Sequence, residues 1–259
     1  MLPLDGIGVL VTRPQHQATP LCRLLQAQGA VAHPFAAINI LPVGDRASWA
    51  ARAGRLEEFQ LAIFSSANAV RFGAALLDQR RDLAIAAIGP ATARALTLSG
   101  HRVSVQPAEG FDSESLLRHP RLNAMAGGHV LLITGAGGRD LLRQELVRRG
   151  AQVTVVEVYR RERRLPRASE LAALEAQFSA GAIQVVTSTS AEIAASLLAL
   201  ATPALRRCFN DAEWLVPGSR VARSLRELGH TGGILEADSA DDQDLVSALV
   251  RWRAGESGA

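Results

Sequence analysis

The sequence has 259 residues, an apolar share of 48% and a net charge of +3. This suits a soluble globular protein of two ordinary domains, each able to bury a core. Every basic residue is Arg and there is no Lys, which excludes a lysine Schiff base, a lysine general base and a P-loop lysine. No apolar run is long enough to span a membrane. Met1-Leu2-Pro3-Leu4-Asp5 lacks the basic start and apolar core of a signal peptide, so a cytoplasmic protein without a membrane partner is expected. Cys22 and Cys208 lack metal-ligand spacing and read as reduced thiols.

Strand and helix signals alternate along the chain. Short apolar runs predict strands at Gly8–Thr12, Ala30–Phe35, Leu61–Ser65, Ala84–Ile88 and Arg102–Gln106. Five more follow at Val130–Thr134, Gln152–Val156, Gln184–Thr187, Trp214–Val216 and Gly233–Leu235. Helical patterns separate them, which argues for an α/β protein with two five-stranded parallel sheets flanked by helices. Near-continuous apolar character is expected of strands buried on both faces. Val31 to Pro42 and Val153 to Arg163 overrun a mean strand and read as strands that continue into extended connectors. Each leads to a polar helix, near Ala47–Phe59 and Ala168–Phe178.

The chain also repeats itself. Ala87-Ile88-Gly89-Pro90 to Leu96 returns as Val216-Pro217-Gly218-Ser219 to Leu225. Gly100-His101 returns as Gly229-His230, and Asp112 to Leu117 returns as Asp241 to Val246, all at one offset. Ile63 to Ala69 resembles Val185 to Ala191, and Val9-Leu10-Val11-Thr12 resembles Leu131-Leu132-Ile133-Thr134. After a one-residue gap, Gly29-Ala30 matches Gly150-Ala151. A duplication at this period is a pair of domains rather than a solenoid. Two arrangements are compatible with it. One is a simple tandem pair. The other is a continuous middle domain with a domain split between the two ends of the chain.

In parallel sheets, ligands bind beyond the carboxyl ends of the strands. The small polar segments fall there. They are Thr12-Arg13-Pro14, Ser65-Ser66-Ala67-Asn68, Gly89-Pro90-Ala91-Thr92, Gly135 to Gly138, Thr187-Ser188-Thr189-Ser190 and Gly218-Ser219-Arg220. Any one of them can simply cap a helix. Several around one cleft suit a ligand with carboxylates or phosphates. The Gly135 to Gly138 run lacks a full dinucleotide fingerprint, and the Ser-rich turns lack the nucleophile-elbow glycines. His101 and His230 sit after helix-ending glycines and read as structural. Asp241, Asp242 and Asp244 read as an acidic helix start rather than a metal site, and no metal is expected. The Arg runs at Arg80-Arg81, Arg148-Arg149 and Arg160 to Arg167 read as solvated faces, with a small anionic ligand next and nucleic acid last. Tyr159 is the only tyrosine, placed in the second connector beside Arg160 and Arg161.

Taken in order, Thr12-Arg13-Pro14, Ser65-Ser66-Ala67-Asn68, Ile88-Gly89-Pro90-Ala91-Thr92-Ala93, Tyr159 and Thr187-Ser188-Thr189-Ser190 resemble the pattern of the uroporphyrinogen-III synthase family. The resemblance covers essentially the whole chain. It implies the split arrangement, with 1–36 and 166–259 in one domain, 44–157 in the other, and 37–43 and 158–165 as a two-stranded antiparallel linker. It implies cyclisation of hydroxymethylbilane, a linear tetrapyrrole, to uroporphyrinogen III with loss of water and inversion of the last ring through a spiro intermediate. It implies no metal or organic cofactor and Tyr159 as the candidate catalytic residue; a monomer is expected, and the small net charge disfavours a nucleic-acid partner. The substrate-binding candidates it implies are Thr12, Arg13, Ser65, Ser66, Asn68, Gly89, Thr92, Gly135, Thr187, Ser188, Ser190, Gly218, Ser219 and Arg220. Val221 stands where the first copy has Thr92, so the hydroxyl role of that position does not carry over. The competing reading is a non-catalytic two-domain protein that binds a small anionic ligand in its cleft.

Overall fold

The computed structural model describes residues 1–80 and 82–255, so Arg81 of the first Arg run lies outside the described residues. The chain starts with β1 (Gly8–Val11), α1 (Gln15–Ala27), β2 (Val31–Pro34) and β3 (Ile38–Pro42). Next come α2 (Arg46–Ala53), β4 (Leu61–Phe64), α3 (Ala67–Gly73), β5 (Ala84–Ala87) and α4 (Pro90–Leu98). Two short helices, α5 (Ser113–Leu117) and α6 (Pro120–Asn123), precede β6 (His129–Gly135), α7 (Leu141–Arg148) and the long β7 (Gln152–Arg163). Then follow α8 (Ala168–Ser179), β8 (Val185–Thr187), α9 (Ala191–Leu200), α10 (Pro203–Asp211) and β9 (Glu213–Pro217). The last described elements are α11 (Gly218–Glu227), β10 (Ile234–Ala237) and α12 (Asp242–Arg253).

The residues form two compact units, one of Met1–Asn39 with the described chain from Glu162, the other of Ile40–Arg161. The first unit holds a sheet in the order β10-β9-β8-β1-β2. Its strands are all parallel. β1 pairs with β8 rather than with β4, so the first piece of the chain completes the sheet made by the last pieces. The second unit holds the order β3-β7-β6-β4-β5, with β7, β6, β4 and β5 parallel. Repeat-related strands occupy the same places in both sheets: β2-β1-β8-β9 in one answers β7-β6-β4-β5 in the other.

The second sheet departs from five parallel strands. Its fifth strand is β3, and β3 runs against β7: Val43 N–H donates to Val158 C=O at 3.2 Å, and Arg164 N–H donates to Ala37 C=O at 3.0 Å. The strand expected at Arg102–Gln106 shrinks to a single bridge between Val105 and Ala86. Ser104 explains this. Its hydroxyl accepts from Ile85 N–H at 3.1 Å and donates to Ile85 C=O at 3.2 Å, so a side chain takes the place of a longer backbone ladder. Pro107 then offers no N–H to resume it.

Both faces of the second sheet are covered. Ala62, Phe64, Leu131, Ile133 and Val156 pack on one side, while Leu61, Ile63, Val130 and Leu132 pack on the other. Alternate residues point to opposite faces, so burial on both explains the unbroken apolar runs. In the first unit Val9, Val11, Val185 and Leu215 pack against α1 and α12 through Leu21, Leu25, Leu245 and Leu249.

The repeated glycines are helix stops. After α4, Gly100 N–H donates to Thr97 C=O and His101 N–H to Leu96 C=O; after α11, Gly229 donates to Arg226 and His230 to Leu225. Gly100 and Gly229 take φ of 80° and 86°, the left-handed region where a Cβ is penalised. This pair of bonds is the Schellman motif. Gly29-Ala30 and Gly150-Ala151 make the same pair after α1 and α7. The repeated Gly-His and Gly-Ala pairs are thus the residues that end the helices.

Candidate active site

The second unit gathers hydroxyls at the carboxyl edge of its sheet. Ser65, just past β4, donates to Thr134 Oγ1 on β6 at 2.8 Å. Ser66 is the N-cap of α3, its hydroxyl accepting from Ala69 N–H at 3.1 Å. The same Ser66 hydroxyl lies 3.0 Å from the Tyr159 phenol oxygen. Arg161 Nη2 donates to that phenol at 3.1 Å, and its guanidinium stands 5.4 Å from the ring centre. Phe72 stacks on the other part of the ring, with centroids 6.2 Å apart.

A β-bulge aims the tyrosine. Along β6 and β7 the register runs Ile133 to Val156 and Thr134 to Glu157, and then Gly135 to Tyr159, skipping Val158. Without the extra residue, Val158 would oppose Gly135 and Tyr159 would turn to the other face. With it, Val158 and Tyr159 both enter the core that contains Phe64 and Ile133. Two glycines make the room. A Cβ on Gly135 would lie 2.5 Å from Tyr159 Cζ, and one on Gly73 would lie 2.6 Å from Ile133 Cγ2 and 3.3 Å from Val158 Cγ1. Gly135 is therefore a seat for the tyrosine ring more than a ligand loop.

Tyr159 is 2% exposed, whereas Ser66 is half-buried and Arg161 exposed. The accessible ends of the network are thus the serine and the arginine. Asn68, Gly89 and Thr92 are buried nearby in sequence, Gly89 lying under Phe111. The motifs around Tyr159 supplied Ser65, Ser66 and Gly135 from sequence alone. Gly73, Phe72, Thr134 and Arg161 were missed as parts of this cluster.

The first unit finishes its edge differently. Thr12 donates to Thr187 C=O, and Thr187 donates to Leu10 C=O at 3.2 Å. Both threonines are 0% exposed, so their hydroxyls serve the sheet. Arg13 is buried and gives its guanidinium to the Asp242 carboxylate and the Ala240 carbonyl, tying β1 to the start of α12. Ser188 donates to Ser190 C=O at 3.1 Å, and Ser190 caps α9 through Ile193 N–H at 3.2 Å. Gly218, Ser219 and Arg220 open α11, whose first turn has no side-chain cap; Ser219 and Arg220 are exposed. An uncapped first turn of this kind offers N–H donors to a carboxylate.

The remaining candidates have structural roles. The Arg runs are largely paired: Arg148 and Arg149 both reach Glu145 and pull its carboxyl down to about 2, Arg80 meets Asp82, and Arg164 meets Glu170. Burial pushes His230 below its ordinary value, the Gly233 carbonyl opposing this in part. Among the described residues, no three His, Cys, Asp or Glu side chains gather as a metal would need, and no helix is long and apolar enough to cross a membrane. An open groove of about 900 Å³ runs along β7, lined by Val43, Trp49, Arg52, Arg143 and Glu157 among others. None of the candidate site residues lines it. The hydroxyl cluster, where donors converge, is the better site on chemical grounds.

A family model described as uroporphyrinogen-III synthase HemD matches residues 20–247. The uroporphyrinogen-III synthase of Salmonella typhimurium is 34% identical over 255 residues, covering 94% of this chain and 100% of its own. That of Escherichia coli is 34% identical over 250 residues, with the same coverage. Among solved structures, the Helicobacter pylori synthetase has a TM-score of 0.64 at 14% identity, covering 95% of this chain and 99% of its own. A mutant synthase from Thermus thermophilus has a TM-score of 0.58 at 20% identity, covering 96% and 98%. The two structures show the fold alone.

Proposed function

Because the chain belongs to the uroporphyrinogen-III synthase family, we infer that its reaction is carried by the bulge-aimed network of Ser66, Tyr159 and Arg161. It is an enzyme of tetrapyrrole biosynthesis. It cyclises hydroxymethylbilane to uroporphyrinogen III, with inversion of the terminal ring and loss of water. The hydroxyl at the end of the linear substrate needs a proton or a strong hydrogen bond in order to leave, and a positioned O–H group supplies it. Ring inversion needs the chain held in one folded shape, which is a matter of position rather than of a strong nucleophile. Ser65 and Thr134 stand beside this network. Thr12, Arg13 and Thr187 belong in this reading to the frame of the first unit.

We read the two units as the two domains of the family, bounded near 1–36 with 166–259 and 44–157, with the paired connectors as their linker. A cytoplasmic monomer working without nucleic acid completes the reading. The single observation that carries it is the hydrogen-bonded tyrosine at the start of the second connector. The test is a product assay. Purified protein with hydroxymethylbilane gives the type III isomer. Only type I product, or tight binding of hydroxymethylbilane without turnover, contradicts it and favours a binding protein.

A further inference from the structure

We propose that Ser66, rather than the phenol itself, is the catalytic group that meets the departing hydroxyl, and that Tyr159 is a positioning residue acting through it. This rests on the reading of the chain as a type III cyclase and says which atom of the site does the donating.

Arg161 can only donate, so its bond at 3.1 Å uses an acceptor site of the phenol oxygen. The phenol proton then needs an acceptor in a place that is 2% exposed. Among the described residues, the only acceptor bonded to it is Ser66 Oγ at 3.0 Å. The reverse assignment, with Ser66 donating to the phenol, leaves the phenol proton buried without a partner, which is the costly outcome. Ser66 Oγ therefore accepts twice, from the phenol and from Ala69 N–H at 3.1 Å. A hydroxyl has two acceptor sites and one proton. With both acceptor sites filled, the serine proton points away from both partners, and Ser66 is the half-buried member of the set. Each bond in the series Arg161 to Tyr159 to Ser66 polarises the next, so the serine is a better donor than an isolated one.

The carbon–oxygen bond of the substrate breaks and its electron pair goes to oxygen. Ser66 passes its proton to that oxygen, and water departs. Tyr159 refills the serine, and the Arg161 guanidinium faces the phenolate that results. The hydrogen lost from the other end of the substrate at ring closure returns a proton to the phenol along the same path.

The experiment is a double-mutant cycle on the full chain with hydroxymethylbilane, scoring kcat, KM and product isomer. Wild type forming the type III isomer at an accelerated rate is required at the outset; only spontaneous type I product overturns the cyclase reading itself. Given that, Ser66→Ala lowers kcat about 10²-fold with KM little changed. Ser66→Asn, which keeps the helix cap but not the hydroxyl, is equally slow. Ser66→Thr, which keeps both, recovers most of the rate. Tyr159→Phe lowers kcat by a few-fold to about tenfold in wild type, the worth of one hydrogen bond, and lowers it no further in the Ser66→Ala background. Equal losses from Tyr159→Phe in both backgrounds, the additive result of independent sites, overturn the proposal. So does a Ser66→Asn variant that turns over at the wild-type rate.

Discussion

The carboxyl edge of the first sheet turns its polar groups inward, while that of the second leaves them in reach. At the first, Thr12 and Thr187 spend their hydroxyls on backbone carbonyls, and Arg13 is held by Asp242 and Ala240. At the second, the repeat-related Thr134 and Ser65 bond to each other at half-buried positions, and Gly135 stands where the first copy has Arg13. The glycine gives the Tyr159 ring its seat, and the bulge at Val158 turns the ring into it. One duplicated frame thus yields a closed edge and an equipped one.

The comparison can be broken by making the equipped edge resemble the closed one. Gly135→Ala places a Cβ 2.5 Å from Tyr159 Cζ, so the ring must leave its seat. Overpacking of this kind costs about 1–3 kcal/mol. The expected result is a lower melting temperature and the loss of most turnover, read by thermal unfolding and by rate of product formation. Arg13→Met tests the closed edge. It strands Asp242, whose side chain is 21% exposed, and leaving such a partly buried group without its partner costs about 1–3 kcal/mol. Denaturant unfolding checks this, and stability should fall by a larger factor than kcat per folded molecule. The reverse order would mean that Arg13 serves the substrate.

A smaller effect is a pH dependence at the second helix stop. His230 packs against Trp214 at 5.2 Å, and burial holds its folded-state value below the ordinary 6.5. The unfolded chain then takes up a proton near 6.5 that the folded chain refuses, so folding stability falls as pH drops through about 6.5 and levels off below the folded value. His230→Gln should flatten that part of the melting-temperature profile. An unchanged slope would assign the pH dependence elsewhere.

Much of the fold was legible because its signals are local. Apolar runs marked most strands, and the glycine-led helix stops made the duplication visible at Gly100-His101 and Gly229-His230. Arg102–Gln106 misled because its alternation is strand-like, while the competing bond from Ser104 to Ile85 appears only once the two segments are adjacent. Periodicity could not choose between a tandem and a split arrangement, since pairing of β1 with β8 rather than β4 is a long-range fact. The site was half legible. Tyr159 stood out as the only tyrosine, and Ser66 stood in a turn motif. The bulge left no clear mark beyond two adjacent core residues, Val158 and Tyr159, and two distant glycines, Gly73 and Gly135. The pairing of Arg13 with Asp242 was not legible, because the two are 229 positions apart.

The most direct test of the account is kcat for Tyr159→Phe with hydroxymethylbilane, measured on protein whose melting temperature is also recorded. The expected rate is lower by a few-fold to about tenfold, the worth of one hydrogen bond, with type III still the enzymatic product and the fold retained. A wild-type rate from a folded Tyr159→Phe protein would contradict it, because the equipped edge would then owe nothing to the residue it is built around.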